Sequence, residues 1–170
     1  MNPHPLALSG PTGPVFVLDE ACLRRGLDAS RSSPRRRIIL PLQRRPEGVQ
    51  RLLNFIQPGS YIRPHCHPLP EHAECITVLR GCLGVVVFSP EGAIEGKWRL
   101  EAGRAESCLI DLDHGVWHGM VPLAPDCVVL ETKRGPYDPL VDKKFPGWAP
   151  EENSAAAGDY LRGLGSVFDR

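Results

Sequence analysis

Three histidines and a glutamate carry the most pointed chemistry in this sequence. The stretch GSYIRPHCHPLPEHAECITVLRG, residues 59–81, sets His65 two positions before His67. In extended backbone alternate side chains leave the same face, so the two imidazoles form a clip for one ion. Glu74 follows on the next apolar run with a carboxylate oxygen to offer, and His118 in DHGVWHG supplies a third imidazole from a distant stretch. Imidazoles and a carboxylate gathered from separate strands leave coordination positions for water or substrate, which is the pattern of catalytic rather than closed structural sites. The donors suit zinc, iron, manganese or nickel alike, so the expected cofactor is one divalent ion of unassigned identity. Glu71 is the rival carboxylate, three residues earlier.

Other residues are weighed beside that set. Tyr61 and Arg63 share the expected strand face of His65 and His67, and an arginine lining a pocket binds a carboxylate or phosphate; a structural ion pair is the plainer role. Glu131 and Lys133 share one face of CVVLETK, from which they reach a cavity as acid and base or pair with each other at the strand end. Arg51 and Asn54 have opposite strand parity and are assigned no role. Tyr137 and Trp148 are expected to pin the C-terminal segment, and His72 and His114 to be exposed. Nine arginines between residues 24 and 51 make a local basic patch, read as a solvated face or an oligomer contact because no recognition helix or aromatic stacking cluster accompanies it.

The elements that must position these groups are short. Apolar runs broken by turn residues (RRIILPL, VQRLLNFI, SYIRPHCH, AECITVLR, CLGVVVFS, GKWRL, ESCLIDL, CVVLETK) predict eight or nine strands in a mainly β sandwich, jelly roll or barrel. DEACLRRGLDA predicts a short N-terminal helix behind an acidic start, despite Gly26. Prolines 136, 139, 146 and 150 keep the following segment extended over the surface. Tyr160, Leu161, Leu164, Val167 and Phe168 recur at helical spacing in the tail, weakened by Gly163 and Gly165. The expected organisation is a leader over 1–14, a barrel with its C-terminal wrap over 15–152 and a helical tail over 153–170.

The 170 residues are 42% hydrophobic and 24% charged, with 20 basic side chains balancing 20 acidic ones. A neutral total disfavours generic binding to nucleic acid or an anionic membrane, and no stretch approaches the length of a membrane span. No basic, then apolar, leader opens the sequence, so a cytoplasmic protein is the expectation. The six cysteines form no CxxC pair and are read as small buried hydrophobes.

The motif spacing resembles that of the cupin superfamily. Gly59, His65 and His67 match its opening G-x5-H-x-H, and Glu74 with Gly81 matches its close, across a longer gap after the second histidine than is usual. Glu71 would fit the shorter gap but not the distance to Gly81. Gly115 and His118 match the second motif, with Asp113 where proline is usual. SPRRR (33–37), VQRLLN (49–54), SYIRPHCHPLP (60–70), LETKRGPYDPL and KFPGWAPEE (within 130–152) narrow the resemblance to the WbuC family of cupin-fold metalloproteins. That resemblance implies a cupin double-stranded β-helix, a jelly-roll barrel, with His65, His67, Glu74 and His118 as metal ligands. It also implies a link to O-antigen or other surface polysaccharide metabolism, a small anionic or sugar-derived ligand, and a homodimer. An isomerase or epimerase is the favoured activity; an iron-dependent dioxygenase and a non-enzymatic ligand sensor are the alternatives.

Overall fold

The computed structural model describes residues 5–44, 46–103 and 107–169. Its elements run α1 (Glu20–Ser32), β1 (Arg37–Pro41), β2 (Val49–Ile56), β3 (Glu74–Arg80), β4 (Cys82–Phe88), β5 (Ile94–Glu101), β6 (Leu109–Leu112), β7 (Trp117–Pro122), β8 (Cys127–Arg134) and α2 (Ala157–Ser166). Two antiparallel sheets face each other, one ordered β1-β2-β8-β3-β6 and the other β5-β4-β7. This is the mainly β barrel with two short flanking helices that the sequence predicts.

One run departs from the expectation. SYIRPHCH forms no regular strand, because Pro64 and Pro68 have no N–H to give to a ladder. It lies extended and makes single bridges at His65↔His118 and Cys66↔Lys144. WHGMVP, which carries His118 and is not among the expected runs, forms β7 at the edge of the smaller sheet, beside the extended SYIRPHCH.

The inner face of the larger sheet changes character along its length. Across β3, β8 and β2 the register sets Val78, Val129 and Asn54 in one row, Ile76, Glu131 and Leu52 in the next, and Glu74, Lys133 and Gln50 in the third. With side chains alternating, these residues all point into the barrel. Ile56, Ile76, Val78, Val85, Leu100 and Val129 fill the apolar end. The charged rows occupy the other end, where the barrel opens.

Helix α1 covers the outer face. Asp19 caps it, its Oδ1 accepting the Cys22 N–H at 2.8 Å. Leu27 packs on Ile38, Leu40, Leu53 and the fully buried Phe55, a ring whose burial stabilises by about 1.5–3 kcal/mol. Gly26 makes this packing possible: a Cβ there would lie 2.3 Å from the Phe55 ring. Helix α2 sets Leu164 against Val86, Phe88 and Val121 on the smaller sheet. Ahead of α1, Ala7 bridges Ile39 of β1 in parallel, and no helix among the described residues is long and apolar enough to cross a membrane.

Of the six cysteines, Cys66, Cys82 and Cys127 are buried, Cys22 and Cys75 are half-buried and Cys108 is exposed. Four of the nine arginines in the basic patch have acidic partners, Arg31 with Asp126, Arg35 and Arg37 with Glu152, and Arg51 with Glu47; Arg45 lies outside the described residues.

Candidate metal centre

The backbone between β2 and β3 brings the first two imidazoles into the barrel. His65 and His118 exchange backbone hydrogen bonds, His65 N–H to His118 O at 3.0 Å and His118 N–H to His65 O at 2.9 Å. The His67 carbonyl accepts the Gly115 N–H at 2.8 Å, and Gly115 takes the positive φ of 75° that its turn requires. Glu74 enters from the first position of β3. One donor atom from each of His65, His67, Glu74 and His118 lies within 4.8 Å of all the others, and none of the four residues is more than 2% exposed.

The hydrogen bonds around this cluster orient it. His65 Nδ1 bonds to Arg63 O at 3.0 Å, His67 Nδ1 to Asp142 O at 2.5 Å and His118 Nδ1 to Val116 O at 3.0 Å. A carbonyl only accepts, so each Nδ1 carries the proton, and in the neutral ring Nε2 presents its lone pair. Glu74 Oε2 stands 3.3 Å from His67 Nε2 and 3.2 Å from His118 Nε2. His65 Nε2, His118 Nε2 and Glu74 Oε1 have no hydrogen-bond partner although all are buried. Buried acceptors converging without donors fit a cation bonded at about 2.0–2.2 Å from each. Burial first, then the positive charge of Lys143, holds the His65 imidazole well below its ordinary value and so neutral, as a ligand must be. Burial alone would raise the Glu74 carboxyl, but His118 and His67 override it and keep the group ionised.

Glu71 lies apart, exposed and 3.6 Å from Arg134. His72 is buried rather than exposed, 8% accessible, because the Leu69–His72 turn folds it inward beside His67 and Asp142. His114 is exposed as expected, against Asp113.

A cavity of about 510 Å³ opens beside His65, within the usual size of a small-molecule site. Arg63, Glu131 and Lys133 all line it. The Arg63 guanidinium lies over the Phe145 ring, 5.2 Å from its centroid, and donates to Pro146 O at 2.9 Å. Glu131 Oε1 accepts from Asn54 Nδ2 at 2.9 Å, and Lys133 Nζ donates to Asp142 Oδ2 at 2.7 Å, so the two strand neighbours do not pair with each other. Tyr61 does not line the cavity: its hydroxyl donates to Pro150 O at 2.8 Å and its ring packs edge-on against Tyr160. Irregular backbone before Pro64 turns it out of the face expected from strict alternation. Trp148 anchors the wrap, packing on Phe88 and donating to Pro90 O, whereas Tyr137 is 60% exposed at the cavity's edge.

Sequence reasoning gave Asn54 no role and did not single out Asp142 or Lys143, and all three line the cavity. For Asn54 the signal was present: its parity is that of Leu52 and Gln50. Asp142 and Lys143 lie in the proline-rich wrap, where no periodicity points.

A profile described as "Domain of unknown function (DUF6016)" matches residues 18–100, just under half of the chain. No curated protein matches the sequence. Among solved structures the chain is similar to the capsular polysaccharide assembling protein CapF from Staphylococcus aureus, with 19% identity and a TM-score of 0.52, over 64% of this chain and 31% of CapF. KdgF from a Halomonas species matches at 21% identity and TM-score 0.49, over 61% of this chain and 83% of its own. An oxalate decarboxylase from Bacillus subtilis matches at 17% identity and TM-score 0.47, over 58% of this chain and 24% of its own. The chain therefore spans about a third of the length of CapF. Its two facing antiparallel sheets, with a His/Glu cluster inside that is able to hold a metal, make it a protein of the cupin fold.

Proposed function

We propose that the protein is a metal-dependent cupin of the WbuC type that isomerises or epimerises a small anionic or sugar-derived ligand in surface polysaccharide metabolism. The observation that carries the metal is the set of three Nδ1 atoms tied to backbone carbonyls, which leaves three Nε2 lone pairs and Glu74 facing one point. The polysaccharide connection is supported by the WbuC-like segments YIRPHCH and ETKRGPYDP, and CapF, which shares the fold, is a capsular polysaccharide assembling protein. A cytoplasmic homodimer belongs to the same reading.

His65, His67, Glu74 and His118 would hold the ion, which supplies Lewis-acid polarisation of a ligand oxygen. The proton traffic falls to Glu131. Burial first, and then the negative charge of Glu74, raise its carboxyl above the ordinary value, so it holds a proton closer to neutral pH, as a general acid–base group needs. Asn54 fixes Oε1 and leaves Oε2 as the atom that gives or takes the proton. Lys133, bound to Asp142, is a less suitable base.

Elemental analysis of the purified protein and of a His65→Ala, His67→Ala variant tests the reading. About one divalent ion per chain is expected in the parent and less than about a tenth of that in the variant, as for the loss of two of four ligands. Stoichiometric metal in the variant would overturn the site. Iron together with ligand-dependent oxygen uptake would replace isomerisation with oxygenation.

A further inference from the structure

Five cationic side chains line the cavity: Arg35, Arg37, Arg63, Lys133 and Lys143. Three are already neutralised within the fold. Lys133 holds Asp142 at 2.7 Å. Arg37 grips both oxygens of Glu152 at 2.7 Å, and Arg35 reaches the same carboxylate at 3.4 Å. Among the described residues the one carboxylate paired with Arg63 is Glu151, 4.0 Å away and 82% exposed, and its guanidinium otherwise donates to Pro146 O. Lys143 has no side-chain hydrogen bond and no ion pair among the described residues.

Burial lowers the Lys143 ammonium below its ordinary value; Glu74 pulls it back and Lys133 adds to the lowering. Lys143 lines the same cavity as His65, one of the candidate metal ligands. Lys143 is half-buried, and Glu74, Glu131 and Asp142 favour its charge without pairing with it, so the ammonium is left to receive an arriving anion. The rest of the wall mixes apolar side chains, Ile39, Leu52, Ile62, Met120 and Phe145, with the amides of Gln43, Gln50 and Asn54 and the carboxylates of Glu131, Asp142 and Glu152, and no helix N-terminus lines it. Two unspent cationic groups match the two oxygens of a carboxylate, and the Glu131, Asp142 and Glu152 carboxylates on the same wall disfavour the second charge of a phosphate.

We propose that Lys143 is the anion anchor of this cavity: with Arg63 beside it, it receives the carboxylate of a small organic acid whose body reaches the His/Glu cluster. The inference rests on the metal-cupin reading and narrows its ligand to carboxylic acids, sugar acids included.

Titration calorimetry of zinc-loaded protein with malonate and with inorganic phosphate tests it, beside zinc content and a thermal melt of each variant. Malonate is expected to bind more tightly than phosphate. Lys143→Met is expected to weaken malonate by about tenfold or more, as for loss of one charge-assisted contact. Lys144→Met serves as the control, since the neighbouring ammonium lies outside the cavity over Trp117, 5.9 Å from the ring centroid; its malonate affinity should not change. Should Lys143→Met fold poorly, Lys143→Gln takes its place. Unchanged malonate binding in a zinc-loaded Lys143 variant, equal loss in Lys144→Met, or phosphate binding more tightly would each overturn the anchor while leaving the metal site standing. Failure of the parent to take up zinc or any other divalent ion would instead bring down the metal reading, and this inference with it.

Discussion

The barrel's open end holds two sets of buried charge that differ in one respect. On the wall, Lys133 meets Asp142, and Arg37 meets Glu152 through two bonds while also donating to Tyr61 O and Ser60 Oγ. On the floor, Glu74 Oε1 and the Nε2 atoms of His65 and His118 have no partner. The folded chain gives each charge of the first set an opposite charge, although Asp142 Oδ1 is left without a partner, so that set acts as scaffold. The second set carries a desolvation cost that the chain alone does not offset, and such a cost persists where it serves function.

The comparison breaks if wall and floor respond alike to losing a charge. Lys133→Met strands Asp142 in the interior and should destabilise by about 3–5 kcal/mol in urea unfolding, whereas Lys133→Met with Asp142→Leu should recover most of that loss. Equal losses in the single and double variants would show that the pair is not scaffold.

The floor should respond with the opposite sign. In protein stripped by a chelator, Glu74→Gln replaces a buried carboxylate with an amide whose N–H suits the neighbouring Nε2 lone pairs. Its stability should match the stripped parent or exceed it by about 1 kcal/mol. Adding zinc should raise the melting temperature of the parent and leave that of Glu74→Gln unmoved. Calorimetric scans with and without metal read both effects, and a stripped Glu74→Gln that melts well below the stripped parent would mean the floor is scaffold too.

How much of this was legible in the sequence follows from how local each signal is. Alternation brings His65 and His67 to one side even though Pro64 and Pro68 prevent the expected strand, because extended backbone is enough. The six residues from Glu74 to Gly81 favour Glu74 over Glu71, and the structure sets Glu74 among the imidazoles and Glu71 at the surface beside Arg134. Contacts between distant segments were not legible. Asp142 and Lys143 reach the cavity because Lys144 bridges Cys66, a pairing with no periodic signature. Gly26 reads as a flaw in α1 until the Phe55 ring is found where its side chain would be.

The smallest expected effect concerns the second wall pair and appears as a pH dependence. Burial would raise the Glu152 carboxyl, but the Arg37 guanidinium outweighs it and holds the group below its ordinary value. A carboxyl depressed in the folded state contributes stability above its unfolded pKa and loses it as pH falls through the folded one. The parent should therefore shed this contribution below about pH 4.5. Arg37→Met removes the guanidinium, and Arg35 at 3.4 Å is a weaker substitute. The stability gap between parent and variant should be widest at pH 7, where the ion pair accounts for about 1 kcal/mol given that Glu152 is 32% exposed. Towards pH 3 it should narrow without closing, because the lost bonds to Ser60 and Tyr61 do not titrate. Urea unfolding at the two pH values measures it, and a gap of constant size would show that those neutral bonds, and not the charge pair, are what Arg37 contributes to the wall.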